Sequence, residues 1–303
     1  MVGLFLGILA VSTASLFIRY AQVEIPSIVI AAGRLLIAAL VLAPFALKNG
    51  AKEFRLISRS AWLLLLMSGT LLGLHFATWI TSLEYTSIAS SVVLVTTAPL
   101  WVALFSPLLL KEKVTTRVLI GLVISLIGSF IVGASSTCEI VSRSLTCSGL
   151  GDLVNRNYLT GNLLALMGAF FSAGYLMAGR RVRNSVNLPL YTFIVYGTAA
   201  LILCAMVWIS GARIVGYSAQ AYTWIIALAL IPQVIGHSAF NWALKYLPAS
   251  YVSIALLGEP IGTVLLAYVF LSEAPTTPEI IGGVLILAGI VVSTQLNLAR
   301  RDR

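Results

Sequence analysis

Apolar residues run in long blocks along this 303-residue chain, and polar residues gather in the short gaps between them. Ten blocks can be marked, at 1–18, 26–47, 61–83, 87–110, 118–134, 159–178, 188–210, 222–244, 249–271 and 280–298. Each has roughly the 17–25 residues that a helix needs to cross about 30 Å of hydrocarbon. A chain crossing lipid must satisfy its own backbone hydrogen bonds, so the pattern predicts ten transmembrane α-helices. The first block has no basic segment ahead of it and no clear small-residue cleavage site. It therefore reads as a membrane helix and not as a signal peptide.

The pattern also repeats. Set against the sequence 161 residues later, Leu83 falls on Leu244, Tyr85 on Tyr246, Pro99 on Pro260, Glu112 on Glu273, Gly121 on Gly282 and Gly128 on Gly289, without a gap. Five helices per half is an odd number, so the second half must enter the membrane from the opposite side. The expected fold is an all-α membrane protein with ten transmembrane helices in two inverted five-helix repeats. Residues 1–134 form the first repeat, 135–158 an extracytoplasmic connecting loop, 159–298 the second repeat and 299–303 a basic cytoplasmic tail. Inverted repeats are the architecture of secondary transporters, whose sites lie near the midplane between the halves.

At 59% hydrophobic and 10% charged, the chain has no polar shell for a soluble domain. A net charge of +9 would suit a nucleic-acid binder, but no basic face recurs, and topology explains the charge better. With the N-terminus in the cytoplasm, the inner loops and tail hold Lys48, Lys52, Arg55, Arg59, Lys111, Lys113, Arg117, Arg180, Arg181, Arg183, Lys245, Arg300, Arg301 and Arg303. The outer loops hold Arg19, Arg143, Arg156 and Arg213. Fourteen against four is a positive-inside bias. The expectation is a multi-pass protein of the cell membrane with both termini cytoplasmic. Its partners would be a small-molecule solute and membrane lipid, with no nucleic acid.

Among 19 basic and 10 acidic residues, Arg34 and Glu259 alone lie well within blocks. A charge at the bilayer centre costs about 2.5–3.5 kcal/mol on the insertion scale, so neither should face lipid. Glu259 precedes Pro260, which removes a helix hydrogen bond, and Pro99 holds the matching place in the first half. Gly258 and Gly262 flank it as a small-xxx-small pair that permits close contact or local unwinding. Glu259 reads as a proton-coupling or amine-binding group, or else as a structural carboxylate satisfying Arg34 or backbone donors.

The histidines lie on two polar stripes. His75, Thr78, Trp79 and Ser82 fall at i, i+3, i+4 and i+7 of the third block, and Gln233, His237 and Asn241 at intervals of four on the eighth. Such stripes must face other helices or a water-filled cavity. A histidine there can carry protons or simply bond one helix to another. Weaker candidates are Ser12, Ser15 and Arg19, then Ser87, Ser90 and Ser91, then Ser172 and Tyr175. The glycines Gly121, Gly128, Gly282 and Gly289 make a smooth face on the fifth and tenth helices. That face would pack the two together about the pseudo-twofold axis or form a homodimer contact.

Cys138 and Cys147 stand nine apart in the loop on the oxidising side, where they form either a disulfide or two free thiols. Cys204 reads as a small core residue. There is no metal-binding spacing, so no metal or cofactor is expected, and no Walker A sequence for ATP hydrolysis.

The stretch from Leu74-His75-Phe76 through Trp79 to Ser87, with Thr97-Ala98-Pro99 and Leu110-Lys111-Glu112, resembles the first EamA-type domain of the drug/metabolite transporter superfamily. Pro232 through Trp242, with Leu257-Gly258-Glu259-Pro260 and Ser272-Glu273, resembles the second, and Arg34-Leu35-Leu36 fits the family's second helix. Where the family has a glycine before the glutamate that closes the fourth helix, this chain has Lys111, and Ser272 in the second half. The resemblance implies ten helices around a central cavity and export or exchange of a small polar or amphipathic metabolite, amino-acid-like, by alternating access. The alternative is an intramembrane enzyme or lipid-processing protein. That would need a carboxylate pair, a Ser/Lys dyad or metal ligands at membrane depth, and the single Glu259 does not make a pair.

Overall fold

The computed structural model describes residues 2–48, 50–86, 88–135, 138–141, 144–147, 156–271 and 277–294. Ser87, Arg143, Glu273 and the 299–303 tail lie outside the described residues, as do the side chains of Ser90, Cys138 and Cys147.

Apolar blocks become helices because no other unpaired backbone is tolerated in lipid. In chain order they are α1 (Val2–Val11), α2 (Ala14–Ala21), α3 (Ser27–Leu47), α4 (Gly50–Leu56), α5 (Arg59–Tyr85), α6 (Ile88–Val95), α7 (Ala98–Leu109), α8 (Thr116–Ser135), α9 (Arg156–Val182), α10 (Leu188–Ser210) and α11 (Ala219–Leu228). A π-helical segment (Ala229–His237) follows, then α12 (Ser238–Ala243), α13 (Ala249–Leu256), α14 (Glu259–Leu271) and α15 (Thr277–Thr294). Strands β1 (Cys138–Val141) and β2 (Ser144–Cys147) pair antiparallel, with Cys138 opposite Cys147. Among the described residues, helix thus accounts for everything but short turns and a small hairpin.

Among the described residues, seven helical stretches are long and apolar enough to cross a membrane, where ten were expected. Two expected spans appear as shorter apolar stretches, Thr116–Ile131 and Ile280–Ser293, and the span expected at 249–271 is divided into α13 and α14. Expected spans one and four are interrupted too, at Ser12-Thr13 and Thr96-Thr97. Two of these breaks have a common cause. Pro99 and Pro260 lack an N–H, and their rings clash with the carbonyls of Val95 and Leu256, the last residues of α6 and α13. Helix bounds recur at the interval of 161. Shifted by it, α6 (88–95) lands on α13 (249–256), α7 begins where α14 begins, and α3 (27–47) gives 188–208 against 188–210 for α10.

The two halves interleave. The most extensive packing joins α5 with α9, α8 with α15, α3 with α10, and α5 with α10, followed by α1 with the π-helical segment, each pairing one helix from each half. Without a hydrophobic drive between helices in lipid, such contact relies on close van der Waals approach. Gly121 and Gly128 provide it for α8 and α15: a methyl at either would run into the carbonyl of Gly289 or Gly282. Of the two alternatives for this glycine face, the structure takes the internal one. Large apolar side chains such as Leu40, Leu63, Leu108 and Leu201 are exposed on the outer surface, as lipid contact requires, and Cys204, expected in the core, is exposed with them.

Candidate functional site

The breaks converge on a narrow cavity. It is about 50 Å³, room for roughly three to five waters, and its lining includes Val11, Ala14, Arg34, His75, Trp79, Thr96, Pro99, Ser172, His237, Leu257 and Glu259. Both halves contribute. Ser12, at the first break, donates to the carbonyls of Ile8 (2.7 Å) and Glu259 (2.9 Å), locking α1 to the start of α14. Gly262 makes that approach possible, since a Cβ there would overlap Ser12.

Arg34 is fully buried on α3, its guanidinium 4.1 Å from the centre of the Phe76 ring. Its Nε donates to Gln233 Oε1 at 2.9 Å, while Nη1 and Nη2 have no hydrogen-bond partner. Trp79 Nε1 and Gln233 Nε2 are likewise buried and unpaired. All four atoms are donors, clustered where a buried polar group without a partner costs about 1–3 kcal/mol. Glu259, half-buried at the opposite break, lines the same cavity without forming an ion pair with Arg34. That geometry is not the close Arg34–Glu259 pairing of the structural reading. It leaves a cation and a carboxylate both turned to one small space.

The two stripes divide. His75 and Trp79 line the cavity, their rings stacked at 5.8 Å, and His75 Nδ1 lies 2.9 Å from the Gly168 carbonyl oxygen. Thr78 instead bonds back to Leu74 and His75, and Ser82 bonds to Trp79 and Ser91. On the eighth stretch His237 reaches the cavity, with Phe76 edge-on at 5.3 Å. Gln233 and Asn241 are fully buried in a network beneath it. There Tyr175 donates to Asn241 Oδ1 (2.5 Å) and Asn241 Nδ2 donates to the Tyr196 hydroxyl (3.2 Å). A π-helical segment, a form frequent at functional sites, runs through Pro232 to His237 and carries two of the stripe's three residues.

Two residues escaped the sequence reading. Tyr196 completes the buried network, and Tyr191 and Tyr196, five apart in one apolar block, share no helical face that would give a periodic signal. Arg183 was counted as a loop cation, yet it is 2% exposed, donates to the Asn241 carbonyl (2.9 Å) and lies over the Tyr191 ring.

Both ends of the bundle are tied between the halves. At one end Glu112 accepts from Arg180 Nε (2.7 Å) and from the backbone of Ala249 (3.1 Å), and Arg180 also donates to the Leu244 carbonyl (2.8 Å). At the other, Glu24 accepts from the Ser218 hydroxyl (2.7 Å) and backbone N–H (2.9 Å), which hold its carboxyl below the usual carboxylate range.

Fold and composition together define a multi-pass membrane protein with a small interior cavity. The chain belongs to the EamA-like transporter family, whose profile matches residues 1–134 and 159–295. It is 26% identical over 199 residues to YdfC, an uncharacterized transporter of Bacillus subtilis, covering 65% of this chain and 60% of that one. It is 34% identical over 133 residues to an uncharacterized protein of Methanocaldococcus jannaschii, covering 44% of this chain and 93% of the relative. A solved crystal structure with 22% identity superposes at a TM-score of 0.77, over 100% of this chain and 98% of the other, a likeness of fold.

Proposed function

We propose that this chain is a secondary transporter that exports or exchanges a small, amino-acid-like metabolite across the cell membrane by alternating access. The observation that carries the reading is the donor-rich cavity. Arg34 offers two unpaired nitrogens in the fork geometry that suits a carboxylate, and Glu259 offers an acceptor for an ammonium group. A zwitterion would satisfy both. Tight walls of Val11, Ala14 and Leu257 favour a small solute.

The inverted five-helix repeat belongs to the same proposal. It is supported by the helix bounds that recur at 161 residues and by a relative covered almost end to end by 133 residues. Alternating access is supported by the ties at the two ends, Glu112–Arg180 and Glu24–Ser218, since releasing one while keeping the other would open the cavity to one side. The orientation rests on the positive-inside bias: a cysteine introduced at Ser144 should be labelled from outside, and one at Asn184 should not. The Cys138–Cys147 disulfide is proposed from the loop's position outside the membrane, and the strand register sets the two residues opposite each other. Non-reducing peptide mapping of protein purified without reductant should find them bridged.

The test is uptake and efflux in proteoliposomes with a panel of labelled amino acids, with and without an imposed pH gradient. Glu259→Gln should lose gradient-driven transport while keeping solute exchange if the carboxylate couples protons. Unchanged gradient-driven transport returns Glu259 to a structural role.

A further inference from the structure

A second hollow, of about 400 Å³, lies between α5, α7 and α9, away from the central cavity. Small residues of α9 hollow it out. Gly174 admits Leu71 at a distance where a Cβ would stand 2.9 Å from that side chain, and Ala178 continues the floor toward the helix end. Met67 and Leu109 form walls and remain 43% and 52% exposed, so the groove opens to the surface that faces lipid. At its end stands Arg181. This residue is exposed, and its Nη1 donates to the Leu109 carbonyl at 3.0 Å, which steadies the guanidinium over the mouth of the groove. No acidic side chain among the described residues pairs with it. Lys111 and Lys113 sit on the exposed turn just beyond Leu109.

An apolar channel inside the bilayer that ends at an uncompensated base matches one molecule by shape and charge. We propose that the groove holds an acyl chain of an anionic phospholipid whose phosphate sits on Arg181. A helix from a second copy fits worse. The outer surface of a second copy presents apolar side chains such as Leu40, Leu63 and Leu201, which offer Arg181 no anion. The inference rests on the membrane fold and not on transport; only the leaflet, cytoplasmic, depends on the orientation proposed above. One surface base favours an anionic headgroup over a zwitterionic one by roughly fivefold.

The test is native mass spectrometry of the full chain, purified in detergent and stripped of lipid. Dioleoyl phosphatidylglycerol and dioleoyl phosphatidylcholine are then supplied in turn. Wild type should retain one phosphatidylglycerol roughly fivefold more than phosphatidylcholine. Arg181→Gln should bring the two near parity, and Arg181→Lys should restore the preference. Met67→Trp, which fills the groove from its exposed wall, should reduce retention of both lipids. Elution volume and helical circular dichroism check that each variant is folded, and the wild-type comparison stands without them. Equal retention of the two lipids by wild type would overturn the proposal, as would a phosphatidylglycerol preference that survives in Arg181→Gln. A dimer that Met67→Trp dissociates would overturn it too, because a second copy would then be the occupant.

Discussion

Arg34 and Gln233 meet through a single hydrogen bond, Nε to Oε1 at 2.9 Å, and that bond decides the polarity of the central site. It fixes the amide so that Nε2 faces away as a donor, and it leaves Nη1 and Nη2 of the guanidinium unpaired. Every orphaned polar atom around the cavity is therefore a donor. The first half supplies the cation and the second half, through its π-helical segment, supplies the residue that aims it.

Replacing Arg34 by Lys keeps the charge and removes the fork. Losing one charged hydrogen bond, about 1.5 kcal/mol, should raise the KM for transport roughly tenfold. The KM of the reconstituted variant checks this. An unchanged value would make the guanidinium a packing element over Phe76.

Gly121→Ala should destabilise the bundle by about 1–3 kcal/mol, because the added methyl meets the Gly289 backbone, which cannot rotate away. The thermal midpoint in detergent should fall by several degrees. Gly283→Ala is the control: its methyl meets only Ile261, at 3.9 Å, and the midpoint should hold or rise slightly as the unfolded chain loses freedom.

Lys111 has φ 57, a left-handed backbone that glycine adopts without strain, at the end of α7. Lys111→Gly should stabilise the protein by up to about 1 kcal/mol, the relief of Cβ strain less the added freedom of the unfolded chain. A thermal midpoint that falls would show that the lysine side chain contributes more than its backbone costs.

Glu24 is exposed, and two hydrogen bonds from Ser218 hold its carboxyl below the ordinary value of 4.5. A lowered folded value means the contribution is present above the unfolded carboxylate range and is lost as pH falls through the folded one. Thermal stability should therefore drop more steeply below about pH 4.5 in wild type than in Glu24→Gln. Parallel profiles would show that the tie between this turn and α11 contributes nothing in solution.

How much of this was legible without coordinates differs by level. Block lengths marked the seven long apolar helices but not the breaks that shorten or divide the other three expected spans, and the 161-residue interval anticipated where helix bounds recur. Arg34 and Glu259 stood out since charge in an apolar block is costly. The stripes were only half informative. Periodicity of 3.6 places Gln233, His237 and Asn241 on one face, but only His237 lines the cavity, while Gln233 and Asn241 are engaged by Arg34, Tyr175 and Tyr196, partners that no periodicity announces. Thr78 and Ser82 share a face with His75, yet Thr78 spends its hydroxyl on its own helix and Ser82 divides its own between that helix and Ser91 of α6. Arg183 does lie in the turn after α9, but three bases within four residues look solvated, and only the fold brings Tyr191 and the Asn241 carbonyl to bury it.

The central claim is that the cavity binds a solute's carboxylate through Arg34. Its most direct test is exchange in proteoliposomes of a labelled amino acid found in the panel to be transported, competed by the unlabelled acid and by its amide. Wild type should be inhibited by the acid and hardly by the amide, and Arg34→Gln should exchange little of either. Equal competition by acid and amide, or exchange at the wild-type rate in Arg34→Gln, would contradict the assignment.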